Sequence, residues 1–383
     1  MRPEGDTGVQ THFRTFMAYL HKIGRQGDLI TPYNAPLWQV YPAFGLRKLV
    51  NMFSRELGVW WYRYWHAYFL KQALKHRLQT DAACVVYAQC PLSAQAALRA
   101  RVSTKQRVVM VAHFNISQAD EWAGKGLIQN GGRLYCAIQD VEADVLPRLD
   151  GLVFVSDFMR RELVGRIPAI TKVAAELVPN FLPDPGMPVV QTVAADLINI
   201  GTLEARKNQH YLLDIVAALH VLGRPLTLTL VGDGPDRRAL EDKVRDLRLS
   251  KQVRFAGYVS NAAEQIGLHR AYIHVATMES FGITLIEAMA RGRPVFAAPV
   301  GGIPEVLGDS ASGLALPLND AKSAARIVAD AMANADWMAA AGLAARERFL
   351  GEYVSDVAAR RLTQFLDKKS GKCNEGAGAI DSA

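Results

Sequence analysis

From Leu197 to Ala298 the chain alternates short apolar runs with longer amphipathic stretches, and this alternation constrains the fold more than any other feature. The runs are Leu197–Ile200, Leu226–Val231, Val253–Phe255, Ala271–Ala276 and Val295–Ala298, each of strand length. Between them, Asn208–Leu222 carries Leu212, Ile215, Val216, Leu219 and Leu222 on one helical stripe. Ile283–Arg291 also reads as a helix, stopped by Gly292 and then Pro294. Strands and helices alternating over short connections predict a parallel, doubly wound α/β domain.

The first half follows the same plan less regularly. Cys84–Tyr87, Val108–Val111, Gly151–Ser156 and Glu176–Val178 read as buried strands. Pro179, Pro183, Pro185 and Pro188 cluster just after them and predict an interdomain linker. Ala345–Leu366 reads as a helix, and the small, polar, Gly-rich Lys368–Ala383 as a disordered tail. A domain of this kind opens with a strand, a Gly turn and a helix. Here the turn, Gly5 to Gly8, begins almost at Met1, and the helix Gln10–Lys22 follows. The first strand is therefore expected to be missing, through a late start site or a truncation, leaving an unfilled sheet edge or gap.

Composition narrows the class. Of 383 residues, 50% are hydrophobic and 21% charged, which excludes disordered, collagen-like and disulfide-scaffold chains. No run of about 18 uncharged apolar residues predicts a spanning helix. The N-terminus lacks the layout of a signal peptide. Cys84, Cys90, Cys136 and Cys373 form no CxxC pair and fit a reducing compartment. Charge is uneven: residues 1–180 hold 22 Lys+Arg against 14 Asp+Glu (+8), leaving 22 against 23 (−1) for residues 181–383. The basic half points to an anionic partner.

The densest basic stretch runs from Leu46 to Leu78, with Arg47, Lys48, Arg55, Arg63, Lys71, Lys75 and Arg77 against Glu56 alone. Trp60, Trp61, Tyr62, Tyr64, Trp65, Tyr68 and Phe69 are interleaved. Rings and cations together suit an anionic lipid surface and also single-stranded nucleic acid. A buried helix with solvated bases has the same composition. No nucleic-acid motif accompanies the stretch.

Four strand-to-helix loops carry the chemistry. Glu279-Ser280-Phe281-Gly282-Ile283-Thr284-Leu285-Ile286-Glu287 places a carboxylate on either side of a helix start, where free N–H groups favour a diphosphate. Gly201-Thr202-Leu203-Glu204-Ala205-Arg206-Lys207-Asn208 puts two cations at a helix start, where the dipole disfavours them unless an anion binds. Val231-Gly232-Asp233-Gly234-Pro235 and Val300-Gly301-Gly302-Ile303-Pro304-Glu305 complete the set. In such sheets ligands bind at the carboxyl ends of the strands, so the four loops converge on one crevice. Asp140, Glu142 and Asp144 come closest to a divalent-metal motif but fit a helix face, and no metal site is expected.

Together these residues resemble the retaining nucleotide-sugar glycosyltransferases of the GT-B fold, family 4, from Gly5 to about Leu366 and most strongly over Leu197–Leu316. In the first half, Gly5–His12 is similar to the family's Gly-rich first loop, and Val111-Ala112-His113-Phe114 to the strand ending in its active-site histidine. Val153–Phe158 and Val178-Pro179-Asn180 are similar to the family's segments closing that domain. The resemblance implies two Rossmann-like domains facing a central cleft. The acceptor-side domain spans 1–181 and the donor-binding domain 182–344. A helix over 345–367 packs back on the first domain, and 368–383 forms the tail.

It also implies roles. Arg206 and Lys207 bind the donor pyrophosphate and stabilise the leaving nucleotide. Glu279 holds the sugar hydroxyls, and the main-chain N–H groups of Phe281, Gly282 and Ile283 meet the sugar and distal phosphate. Glu287 takes the ribose hydroxyls, Gly8 and Gly201 border the phosphates, and Tyr258 lies where the base is contacted. His113 hydrogen-bonds the donor sugar, and Asn115, Trp122 and Lys125 line the acceptor route. The implied activity is metal-independent, retaining transfer of a hexose from a UDP- or GDP-sugar to a lipid-linked or envelope glycan, with no cofactor. The implied setting is the cytoplasmic face of the cell membrane, with residues 46–78 on anionic lipid and no nucleic acid bound. A nucleotide-sugar epimerase or synthase with a soluble product, and a non-catalytic nucleotide-sugar-binding subunit, are the alternatives.

Overall fold

In the computed structural model, residues 8–114, 116–187, 193–309 and 311–370 are described. The first half contains α1 (Gly8–Lys22), α2 (Leu37–Phe53), α3 (Arg55–Arg77), β1 (Cys84–Ala88), α4 (Pro91–Ala100), β2 (Gln106–Ala112), α5 (Gln118–Gly124), α6 (Arg133–Val145), β3 (Gly151–Phe154), α7 (Asp157–Arg166) and β4 (Ala175–Leu177). Its four strands pair in parallel, in the order β1-β2-β3-β4. Strand β2 is apolar on both faces because helices cover both, and Val108 to Ala112 are fully buried.

The second half contains β5 (Ala195–Ile200), α8 (Gln209–Val221), β6 (Leu228–Val231), α9 (Arg237–Asp246), β7 (Val253–Gly257), α10 (Ala263–Ile266), β8 (His269–His274), α11 (Ile283–Met289), β9 (Val295–Ala297), α12 (Ile303–Leu307), β10 (Gly313–Ala315), α13 (Ala321–Ala333), α14 (Ala335–Arg348) and α15 (Ser355–Ser370). Its six parallel strands run β10-β9-β8-β5-β6-β7. The two parallel α/β domains make a GT-B fold. One apolar core runs from α1 and the first sheet through the domain junction to α11 and Phe349, and a second fills the other face of the larger sheet.

The linker and the returning chain lie side by side. The Leu182 N–H donates to the Tyr353 carbonyl (3.0 Å), and the Ser355 N–H to the Leu182 carbonyl (2.8 Å). The helix expected over Ala345–Leu366 is broken by this crossing: α14 ends at Arg348, a wide turn spans Phe349–Tyr353, and α15 starts at Ser355. Helix α14 stays on the second domain, whereas α15 packs on α1, β1 and β2. Lys368 to Ser370, expected in the tail, continue α15, and 371–383 lie outside the described residues.

Gly5 to Thr7 also lie outside the described residues, as does Pro188 of the expected linker. Among the described residues no strand precedes α1, and β1 forms the outer edge of its sheet. Its free side faces a cavity of about 790 Å³ walled by α1 and α3, with Phe13, Phe16, Leu70 and Leu74 among its lining.

Helices α2 and α3 form an antiparallel hairpin against this domain. The Trp61 indole N–H donates to the Ala43 carbonyl (2.6 Å), and Trp65 stacks on Phe69. Arg63 is buried and donates to Gln118 (3.1 Å), while Arg47 lies over the Tyr62 ring. Residues 46–78 therefore present only part of their rings and bases to solvent. Trp61 and Trp65 pack inside the hairpin, Arg63 ties α3 to α5 through Gln118, and Trp60 and Tyr64 are exposed.

Candidate active site

The larger sheet reverses its winding between β5 and β8, and the loops leaving their carboxyl ends diverge to form a crevice. The loop after β5 carries Gly201 to Lys207. It ends in Asn208, whose φ of 56° turns the chain into α8. The loop after β8 carries Thr277 to Gly282. The Thr277 N–H donates to the Arg206 carbonyl (2.9 Å), which ties the two loops together.

Lys207 Nζ lies 2.6 Å from Glu279 Oε2, and Arg206 Nη1 lies 3.8 Å from the same oxygen. Arg206 also donates to Glu204 (2.9 Å) and to the Met278 carbonyl (3.2 Å). Burial would push the Glu279 carboxyl up, but the Lys207 ammonium and His274 hold it far below the usual carboxylate range. His274, at the end of β8, is buried with Nε2 3.6 Å from Glu279 Oε2. That nitrogen has no hydrogen-bond partner among the described residues, and burial keeps the ring neutral.

Glycines let the loops touch. A Cβ on Gly301, whose φ is +59°, would sit 1.9 Å from the Glu279 carbonyl oxygen. A Cβ on Gly232, φ +134°, would sit 2.0 Å from the Gly201 carbonyl oxygen. These loops therefore shape the crevice by supporting the 201 and 279 loops from behind.

Gly282, at φ +90°, opens α11, and Phe281 is buried with its ring 5.8 Å from that of Tyr353. Ile283 packs against the start of α1, where a Cβ on Gly8 would meet Ile283 Cδ1 at 2.9 Å. Glu287, one turn into α11, is half-buried, and burial raises its carboxyl to about 7 despite Arg291. The Arg291 guanidinium donates to the Glu287 main-chain carbonyl (3.0 Å). Tyr258 follows β7, two strands from β5, and is exposed.

Across the cleft, His113 follows β2 and its carbonyl accepts from Ser280 Oγ (3.4 Å). Its Nε2 lies 3.2 Å from Gln89 Oε1, and its ring centroid is 4.5 Å from that of His12. Burial, reinforced by His12, holds His113 well below its ordinary value, so it is neutral. Gln89, Trp122 and Lys125 line the cavity that His113 also lines, with Lys125 Nζ 5.9 Å above the Trp122 ring. Asn115 lies outside the described residues.

The domains are held together at this point. Ser156 Oγ donates to the Ser280 carbonyl (2.8 Å). The Glu305 carboxylate accepts the Asp157 and Phe158 N–H groups, each at 2.6 Å. Glu305 thus caps α7 across the domain boundary rather than facing the crevice. Glu142 is likewise a buried cap, accepting from Ser117 Oγ and the Gln118 N–H (each 2.8 Å) and from Arg166 (2.5 Å), so it does not sit on an open helix face beside Asp140 and Asp144. The sequence did not single out His12, Gln89 or His274. For His274, the readable signal was a histidine at the carboxyl end of the strand that precedes Glu279.

Residues 191–348 of the second domain, which carries Arg206, Lys207, Glu279 and Glu287, match the family model of glycosyl transferases group 1. A glycogen synthase of Mycobacterium tuberculosis is 25% identical over 334 residues, 84% of this chain and 78% of that protein. Sucrose-phosphate synthase of Thermosynechococcus elongatus superposes with a TM-score of 0.67 at 20% identity, over 80% of this chain and 79% of that one. The Anabaena protein HepE, solved with UDP-glucose, gives 0.65 at 17% identity, over 78% and 82%.

Proposed function

We propose that the protein is a retaining, metal-independent glycosyltransferase of family 4 that moves a hexose from a UDP- or GDP-sugar to a lipid-linked or envelope glycan. The observation that carries this reading is the Lys207–Glu279 pair beside Arg206 at the switch point of the larger sheet. A diphosphate entering the crevice exchanges one anion for another at Lys207 and frees Glu279 to accept sugar hydroxyls. UDP-glucose bound to HepE, on the same fold, supports a nucleotide-sugar donor.

Breaking the sugar–phosphate bond develops charge on the diphosphate oxygens. Arg206 and Lys207 are fixed beside that position and need no reorganisation, and one such donor is worth about 3–4 kcal/mol. The main-chain N–H groups of Phe281, Gly282 and Ile283 meet the sugar and distal phosphate. Gly8 and Gly201 leave room for the phosphates, Glu287 takes the ribose hydroxyls, and Tyr258 contacts the base. Neutral His113 hydrogen-bonds the sugar, and the acceptor hydroxyl attacks from the face the nucleotide leaves, so the anomeric configuration is kept. No cofactor takes part.

The acceptor approaches along Trp122 and Lys125. The basic first half holds the protein on the cytoplasmic face of an anionic membrane. No helix among the described residues is long and apolar enough to cross a bilayer. The reading is tested by incubating the protein with UDP- and GDP-hexoses and a membrane glycolipid extract in EDTA, then reading the new linkage by NMR. Transfer with retained configuration is expected. An inverted product, transfer only with added metal, or an isomerised free sugar contradicts the reading.

A further inference from the structure

We propose that α2 is a membrane-inserting helix that buries its outward face in the headgroup region of an anionic bilayer. This rests on the reading of the protein as a transferase with a lipid-linked acceptor, and it adds the element and the mode of contact. Helix α2 has two apolar faces. Val40 and Ala43 are buried against α3 and its surroundings. On the other side, Trp38 is 76% exposed, Tyr41 61%, Leu49 55%, Met52 80% and Phe53 88%. At about 100° per residue these five side chains fall within an arc of roughly 120°, opposite Val40 and Ala43.

The exposed strip continues onto α3 through Leu57, Trp60 and Tyr64. So large a contiguous apolar surface on a soluble domain marks a contact site. Charge selects the occupant. Helix α2 contains no acid, Lys48 lies at the edge of the strip, and Arg55 follows at the hairpin tip, where Glu56 is the one acid. Rings at the level of phosphate groups with cations at their margin match a lipid headgroup layer, where indole and phenol bury their bodies and keep their polar tips wet. A protein-binding helix needs no such cationic margin.

Insertion differs from electrostatic attachment in its salt dependence. The full chain is floated with phosphatidylcholine vesicles with and without phosphatidylglycerol, at low salt and at about 1 M salt, where the screening length is about 3 Å. The wild type is expected to float with the anionic vesicles and to keep much of that binding at high salt. Trp38→Ser/Phe53→Ser should lose about tenfold or more of its partition at both salts, and Lys48→Gln/Arg55→Gln only at low salt. Lipid brominated near the top of its acyl chains should quench the wild type more than Trp38→Phe, which places Trp38 at the headgroup–acyl boundary.

Failure of the wild type to float, complete loss at high salt, or equal binding by Trp38→Ser/Phe53→Ser overturns the proposal. So does a stable dimer that Trp38→Ser/Phe53→Ser dissolves, because a second copy then covers the strip. All five side chains are exposed, so unchanged circular dichroism is expected for the variants. Calorimetric binding of UDP or GDP by the same variants keeps a failure of insertion distinct from a failure of the transferase reading.

Discussion

Glu279 and Glu287 stand eight residues apart in one loop–helix segment, and their surroundings shift their carboxyls in opposite directions. Lys207 and His274 keep Glu279 ionised in spite of burial, whereas burial with only Arg291 to oppose it raises Glu287 to about 7. The sign of the Glu287 effect follows from linkage. Between its unfolded value, about 4.5, and about 7 the folded state holds the extra proton, so this group's contribution to stability falls as pH rises through that window. Glu287→Gln should remove that fall and be the more stable protein at pH 8. Solvent screening at a half-buried carboxyl limits the gain to the order of 1–2 kcal/mol. Thermal melts of both proteins across pH 5 to 8 check this. If Glu287 accepts ribose hydroxyls, nucleotide affinity in the wild type should rise from pH 6 to 8, and that rise should vanish in Glu287→Gln. Lys207→Ala leaves the largely buried Glu279 carboxylate with only the more distant Arg206 as cation and should cost up to about 3 kcal/mol of stability, with Lys207→Met/Glu279→Gln recovering most of it, as denaturant melts would show.

At the scale of elements, the glycine loops position the crevice. Gly301→Ala drives a Cβ into the Glu279 carbonyl at a left-handed φ. It should cost about 1–3 kcal/mol and weaken nucleotide binding more than a surface Ala substitution does, both readable by melts and calorimetry. Most elements of the larger sheet were legible because period and punctuation agreed: Leu197–Ile200 and Val295–Ala298 are apolar, short and bounded by glycine or proline. Strand β10 was not legible, since Gly313-Leu314-Ala315 is three residues long with one large apolar side chain. The break between α14 and α15 was hidden because Ala345, Phe349 and Tyr353 continue a helical stripe, and only the crossing of Leu182 beside Val354 interrupts it. The aromatic hairpin was legible as a composition but not as a surface. Trp61 and Trp60 are neighbours in sequence, and only the partner carbonyl of Ala43 separates an inward ring from an outward one.

At the scale of the molecule, the cleft is closed by contacts between domains that the loop motifs did not announce. The Glu305 carboxylate from one domain caps α7 of the other, next to the Ser156–Ser280 hydrogen bond. Glu305→Ala should remove about 0.5–2 kcal/mol of cap energy and favour an open arrangement, seen as a larger radius of gyration by small-angle scattering and as slower transfer. An unchanged radius would show that Ser156 and the shared apolar core suffice to hold the domains. The outer edge of β1 and the exposed face of α2 belong to the same domain, whose basic character sets it apart from the near-neutral second domain.

On the proposed reading, a nucleoside diphosphate displaces Glu279 from Lys207. This displacement is tested most directly by calorimetric titration of UDP and GDP into the wild type and Lys207→Ala in the presence of EDTA. Metal-independent binding of one nucleotide series by the wild type is expected, with a loss of at least about tenfold, or roughly 1.4 kcal/mol, in Lys207→Ala. Equal affinity of the two proteins, or binding that appears only when magnesium replaces EDTA, would contradict it.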